Sequence, residues 1–177
     1  MVRYFSVLII SIFFVSAIQG QEEIKWMTIQ EAMIKSQKEP RKILVDVYTD
    51  WCGWCKVMDK STYSDSAVIN YINKNYYAVK FNAEQKEDIV LGDKTYKFVA
   101  AGNRGYHELA AVLLNKQLGY PSTVFIDETA TVVYMRQGYI KPILFDTLIN
   151  FIGGDHYKNV GFDVFSQKFE SKAKDPA

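Results

Sequence analysis

The 177-residue chain has two cysteines, and both lie in Trp51-Cys52-Gly53-Trp54-Cys55-Lys56. This pair follows a short, nearly continuous apolar run at 43–48 (ILVDVY), the pattern of a central strand covered on both faces. The spacing predicts Cys52 at the N-cap of a helix and Cys55 in its first turn. There the unpaired N–H groups and the positive end of the helix dipole favour a thiolate. A free thiol near about 8.5 can fall to about 3.5–7.5 in such a place. Cys52 therefore reads as the exposed attacking sulfur. Cys55, set deeper, would resolve the mixed disulfide that Cys52 forms, so the pair would cycle through a redox-active disulfide. Two plainer readings compete. As half of a zinc site the pair lacks partners, because the only histidines, His107 and His156, have no metal-motif spacing to each other. As a staple it restricts only a four-residue loop and removes little chain entropy. No metal and no cofactor is expected.

The rest of the composition limits the setting. A balance of 21 Lys+Arg against 20 Asp+Glu, without a basic run, argues against nucleic acid as the main partner. With 49% hydrophobic and 15% aromatic residues the chain can build a core. Residues 1–20 combine Arg3, the apolar stretch 5–15 and the small residues Ala17 and Gly20, the pattern of a secretory signal peptide. The apolar run is shorter than the ~20 residues needed to span a bilayer. Export would place the protein in the periplasm or outside the cell, where disulfides persist.

The elements that must position the cysteines follow from local patterns. Thr28-Ile29-Gln30-Glu31 has capping-box spacing and opens a helix over 29–37, which Glu39-Pro40 ends. The CxxC helix should run through Asp59. Ser64 or Asp65 can cap a helix over 66–73, followed by a strand at 77–82. Segments 89–91 and 95–99 read as a small hairpin about Gly92-Asp93. A loop at 102–105 precedes a helix at 106–118, with Leu109, Val112 and Leu113 on one face and His107 solvated in its first turn. Segments 123–127 and 131–137 form a strong hairpin, and Pro142 opens a last long helix to about Ile152. Phe162, Phe165 and Phe169 share a helical face in the tail. The reading is one α/β domain at 21–154 with a helical tail at 155–177, expected to be a monomer.

ILVDVYTDWCGWCK resembles the thioredoxin superfamily, and Gly119-Tyr120-Pro121-Ser122-Thr123-Val124-Phe125-Ile126-Asp127 looks like its cis-proline loop and following strand. Residues 56–84 are more similar to the exported branch that includes the C-terminal domain of the bacterial transmembrane disulfide reductase. The resemblance covers roughly residues 24–152 and implies a thioredoxin fold: a central mixed β-sheet flanked by helices, here with an inserted β-hairpin before the cis-Pro loop. It implies that Asp46, six residues before Cys52, is the buried acid that accepts the Cys55 proton. Lys80 matches the family's lysine on the neighbouring strand and would pair with Asp46. Pro121 would be cis and face the disulfide, leaving the Tyr120 backbone open to an extended substrate. Trp51, Gly53 and Trp54 complete the expected docking rim.

Two departures from the family pattern matter. Gly53-Trp54 stands between the cysteines, without the His next to the second Cys found in strongly oxidising relatives, which favours a reductase. The segment from Lys80 to Pro121 is about twice as long as in minimal thioredoxins, and the extra stretch at 85–105 offers Tyr96, Phe98, Arg104 and Tyr106 to a partner. The resemblance thus implies an exported thiol–disulfide oxidoreductase acting on protein disulfides and dithiols. A redox partner, with a membrane-bound electron donor as one candidate, would regenerate it. Oxidation or isomerisation in the same compartment, and a client-binding chaperone module of the same fold, are the rival readings.

Overall fold

The computed structural model describes residues 22–102 and 104–176, and the expected signal peptide lies outside them. Strand β1 (Trp26–Met27) leads into helix α1 (Ile29–Lys38), which starts at a complete Thr28–Glu31 capping box. Strand β2 (Lys42–Tyr48), helix α2 (Gly53–Ser61), helix α3 (Ser66–Asn75) and strand β3 (Tyr76–Asn82) follow. Asp65, rather than Ser64, caps α3: its Oδ1 accepts from Ala67 N at 2.9 Å and Val68 N at 3.2 Å. Beyond the insertion described below, strands β8 (Ser122–Ile126) and β9 (Val132–Gln137) form the closing hairpin. Helix α5 (Pro142–Gly153) carries its proline in the first turn, and a short helix α6 (Phe162–Ser166) ends the regular structure.

The five main strands make one mixed sheet in the order β1-β3-β2-β8-β9. β3 runs parallel to β1 and β2, whereas β8 is antiparallel to both β2 and β9. Side chains on β2 alternate between two cores. Leu44 joins Met58, Ile72, Phe125 and Phe145 beneath α2, α3 and α5. Ile43, Val45 and Val47 join Ala32, Phe81, Leu109 and Val124 on the α1 side. Both faces of the central strand are therefore dry, which accounts for its unbroken apolar run. Asp46 is the exception, and it lies on Leu44's face.

The insertion differs from the single hairpin read in the sequence. Strands β4 (Ile89–Leu91) and β5 (Lys94–Tyr96) form one hairpin; β6 (Phe98–Ala101) and β7 (Arg104–His107) form a second. The second hairpin takes Tyr106 and His107 out of the expected helix, so α4 covers only Glu108–Leu113. Its far end is also earlier than expected, because Asn115 and Lys116 adopt positive φ (48° and 62°). Leu109 and Leu113 face the core, but Val112 points to solvent. His107 is fully buried, not solvated. Its N–H donates to Ala83 O at 2.7 Å, its ring meets Phe81 edge-on, and its Nδ1 caps α4 by accepting from Leu109 N at 3.2 Å.

The tail folds back on the domain. Phe162 and Phe165 pack on Phe151 of α5, and Phe169 stacks on Phe165. Further along, Asp146 accepts from Ser171 Oγ at 2.7 Å and Lys172 N at 2.9 Å. Lys174 N reaches Asp65 Oδ2 at 3.1 Å, and Asp175 Oδ1 accepts from Ile143 N at 3.2 Å. Among the described residues, no helix is long and apolar enough to cross a membrane.

Candidate active site

The loop 49–52 turns the chain from β2 into α2, with Cys52 N donating to Thr49 O at 3.1 Å. Cys52 is the N-cap of α2: its backbone is extended, and its sulfur accepts from Cys55 N at 3.1 Å. The two cysteines are joined as a disulfide, with Cα atoms 5.3 Å apart. Cys52 is only 4% exposed and Cys55 3%, so the expected contrast between an exposed and a deep sulfur is absent in this oxidised state. Bonding ties both sulfurs to the helix start, and the exposed positions are instead Trp51 (51%) and Trp54 (62%). Gly53 lies between them, where a Cβ would meet open space.

Two aromatic pairs flank the disulfide. Trp51 meets Tyr120 edge-on with centroids 6.1 Å apart, and Trp54 stacks on Tyr139 at 5.7 Å. The Tyr120–Pro121 peptide is cis. Pro121 O accepts from Gly138 N at 2.7 Å, and the β8 ladder begins only at Ser122, leaving Tyr120 outside it. Trp54, Tyr120, Pro121, Gly138 and Tyr139 line a hollow of about 230 Å³.

Behind the disulfide, pairing register builds a polar row on one face of the sheet. Asp46 on β2 is directly opposite Lys80 on β3 and Thr123 on β8. Lys80 Nζ lies 2.6 Å from Asp46 Oδ2, and it also pairs with Asp59 of α2. The rings of Trp26, Tyr48 and Tyr63 surround that ammonium at 5.1, 5.1 and 5.2 Å. Asp59 had no role in the sequence reading. The available signal was its position four residues after Cys55, which puts both on one helical face.

Asp46 is 1% exposed. Burial raises its pKa above the ordinary carboxylate value, and the attraction of Lys80 only partly offsets this. For Lys80, burial alone would lower the pKa, but Asp46 and Asp59 outweigh it and hold the ammonium above the ordinary lysine value. Asp46 Oδ1, Tyr63 Oη and Thr123 Oγ1 are buried, and none makes a hydrogen bond of ordinary geometry in the structure. Both hydroxyls can donate to an ionised carboxylate as well as accept from a protonated one, and Tyr63 beside Asp46 works against the rise, so the raised pKa rests on burial. Lys80, Asp59 and Tyr63 also line an open cleft of about 400 Å³, which connects this polar row with the surface.

The structure therefore brings together Cys52, Cys55, Trp51, Gly53, Trp54, Tyr120 and Pro121 at one end of the sheet, with Asp46 and Lys80 paired behind them. Among the described residues no group of three His, Cys, Asp or Glu side chains is arranged to hold a metal ion.

Residues 13–144 match the family described as "Thioredox_DsbH: Protein of unknown function, DUF255". The chain belongs to that family. An uncharacterised Caenorhabditis elegans protein, B0495.5, is 28% identical over 97 residues, which are 55% of this chain and 11% of that protein. The thiol:disulfide interchange protein DsbD of Pectobacterium atrosepticum is 43% identical over 37 residues, 21% of this chain and 6% of the relative. The chain thus spans about a tenth of the length of the curated relatives it matches. Among solved structures, a thioredoxin from Thermus thermophilus superposes with a TM-score of 0.57 at 18% identity, covering 76% of this chain and 93% of its own. A putative disulphide-isomerase from Bacteroides thetaiotaomicron gives 0.54 at 23% identity, covering 80% and 99%. The fold of this family member is that of thioredoxin, with a CxxC disulfide at the start of α2.

Proposed function

We propose that the protein is an exported thiol–disulfide oxidoreductase that reduces disulfides of protein substrates. The observation that carries this reading is the Cys52–Cys55 disulfide at the N-cap of α2, flanked by the Trp51–Tyr120 and Trp54–Tyr139 pairs. In the reduced protein, the Cys52 thiolate attacks one sulfur of a substrate disulfide and the other substrate sulfur leaves as a thiolate. Cys55 then loses its proton and attacks Cys52 Sγ. The enzyme disulfide closes, the second substrate sulfur is released, and two electrons have passed to the substrate.

Asp46 is the proposed proton acceptor for Cys55, since burial raises its pKa above the ordinary carboxylate value and so makes it a stronger base than an exposed carboxylate. Lys80 and Asp59 are positioning residues that hold Asp46 and face the open cleft, through which the proton can exchange with solvent. Tyr120, Pro121, Gly53 and the two tryptophans are proposed to seat an extended substrate segment across the disulfide. The lack of a His beside Cys55 favours reduction over oxidation, because less charge stabilises the thiolate form. A separate electron donor in the same extracytoplasmic compartment restores the dithiol.

A glutathione titration of the purified protein tests the direction. A potential near about −270 mV supports a reductase, and one near about −120 mV refutes that direction in favour of an oxidant. With a protein disulfide substrate, Cys52→Ser should abolish turnover, whereas Cys55→Ser should accumulate the mixed disulfide, visible as an intact-mass adduct. Full turnover by Cys52→Ser would remove the exchange reading altogether.

A further inference from the structure

We propose that Arg104, on the inserted β6–β7 hairpin, is a specificity-determining residue that selects protein disulfides with an acidic side chain next to the reacting cysteine. This rests on the exchange reading above and adds a substrate class to it. Arg104 is 53 positions from Trp51 in sequence, yet its guanidinium carbon lies 4.4 Å from the Trp51 ring centroid. Trp51 immediately precedes Cys52, so the insertion brings a cation onto the side chain next in sequence to the disulfide.

The platform under that cation is fixed on two further sides. Trp51 Nε1 donates to Glu84 Oε1 at 3.0 Å, and the Tyr120 ring meets Trp51 edge-on. The hairpin is anchored as well. His107 ends β7 buried against Phe81, and Glu108 N donates to Lys97 O at 2.8 Å. Next to Arg104, a Cβ at Gly105 would lie 2.2 Å from Phe98 Cζ and 2.5 Å from Val99 O, so only glycine allows this close crossing.

The indole covers one side of the guanidinium, and Arg104 is otherwise exposed. Among the described residues no carboxylate lies within ion-pair distance of Arg104, in contrast to Lys97 of the same insertion, which is 3.7 Å from Asp88. A guanidinium held over a fixed indole has already given up part of its side-chain freedom, and its N–H groups can take a carboxylate in a bidentate pair. Glu84, the nearby acid, is engaged with the indole N–H. The occupant this arrangement fits is an Asp or Glu on the substrate segment that also presents its disulfide to Cys52. An exposed pair of this kind changes a specificity ratio by about two- to fivefold, and salt weakens it.

The test uses the full chain and two disulfide-linked peptides that differ only in Glu or Gln beside the reacting cysteine. The readout is the ratio of their kcat/KM values, which cancels any general loss of active protein. The parent should prefer the Glu peptide about two- to fivefold at low salt, and less as salt rises. Arg104→Gln should bring the ratio to about one, and Arg104→Lys should keep part of it. A ratio of one in the parent, or an undiminished ratio in Arg104→Gln, overturns the proposal. If no disulfide is turned over at all, the exchange reading fails, and the same peptides are titrated against Cys52→Ser by tryptophan fluorescence. Glu-selective binding that Arg104→Gln abolishes then still supports recognition by Arg104; equal binding of the two peptides overturns it.

Discussion

Replacing His107 gives the sharpest check on how the insertion is held to the sheet. Its Nδ1 accepts from Leu109 N at 3.2 Å, so the ring proton sits on Nε2, which donates to Glu87 O at 3.2 Å. His107→Ala removes a helix cap, worth about 1 kcal/mol. It also removes the hydrogen bond to the Glu87 carbonyl, which lies on an exposed residue, at about 0.5–1.5 kcal/mol. Together these amount to about 2 kcal/mol, or a fall in Tm of about 4–8 °C for a chain of this size. His107→Asn keeps a good capping residue and should lose only the Glu87 part.

The two forms should also differ in pH dependence. Burial pushes the His107 pKa down, although the Glu87 carbonyl and the acids Glu108, Asp88 and Glu87 oppose this. The unfolded chain takes up the proton near about 6.5. Below that value the unfolded state binds more protons than the folded one, so the parent loses stability as pH falls toward the lower, folded pKa. His107→Asn has no such loss. Urea unfolding at pH 8 and pH 5 should therefore show the parent more stable than His107→Asn at pH 8, with the gap narrowing at pH 5. A gap that stays constant between the two would refute the neutral, buried cap.

Two further substitutions probe the site and its support. Asp46→Asn should slow closure of the Cys52–Cys55 disulfide from the mixed disulfide by about a hundredfold or more at pH 7, followed by rapid acid quench and mass analysis. Because burial raises the folded pKa of Asp46, the parent should lose stability as pH rises through that pKa; a urea midpoint series across pH 4–8 showing the same fall in Asp46→Asn would count against it. Gly105→Val drives a side chain into Phe98 and the Val99 carbonyl and should cost about 1–3 kcal/mol. Amide exchange should quicken across 98–107, and unchanged protection there would mean that the close crossing is not needed.

The parts of the site that were legible in the sequence are those fixed by local rules. The apolar run of β2, the Thr28–Glu31 box, the CxxC helix start and the β8–β9 hairpin each carry their signal within a few residues. Asp46 and Lys80 were reached through resemblance, and their contact follows from β2–β3 register. What escaped depends on distant partners. The second hairpin needs Phe98 opposite His107, a pairing that the alternation of neither segment announces. The Leu109–Leu113 spacing does face the core, but Val112 turns to solvent, and positive φ at Asn115 and Lys116 ends the helix before Leu118. His107 looked like a surface residue because its partners, Phe81 and the Ala83 and Glu87 carbonyls, arrive from other segments. Cys52 looked exposed because helix-start reasoning describes a free thiolate, whereas in the closed disulfide both cysteines are buried.

Helix α3 is gripped at both ends by segments remote in sequence. Asn73, in its last turn, accepts from Lys25 N at 2.9 Å and donates to Glu23 O at 2.9 Å. At its other end the capping residue Asp65 also receives Lys174 N, while residues 171–175 are tied to α5 through Asp146 and Ile143. Flanking segments of a domain ordinarily fray independently, at almost no free-energy cost. Here, peeling away either one removes a hydrogen bond from an end of a helix whose Val68, Ile69 and Ile72 belong to the core beneath β2. Opening at the periphery is thereby coupled to opening of the interior. The segments around residues 24 and 174 are thus drawn into the same cooperative unit as the sheet that holds Asp46.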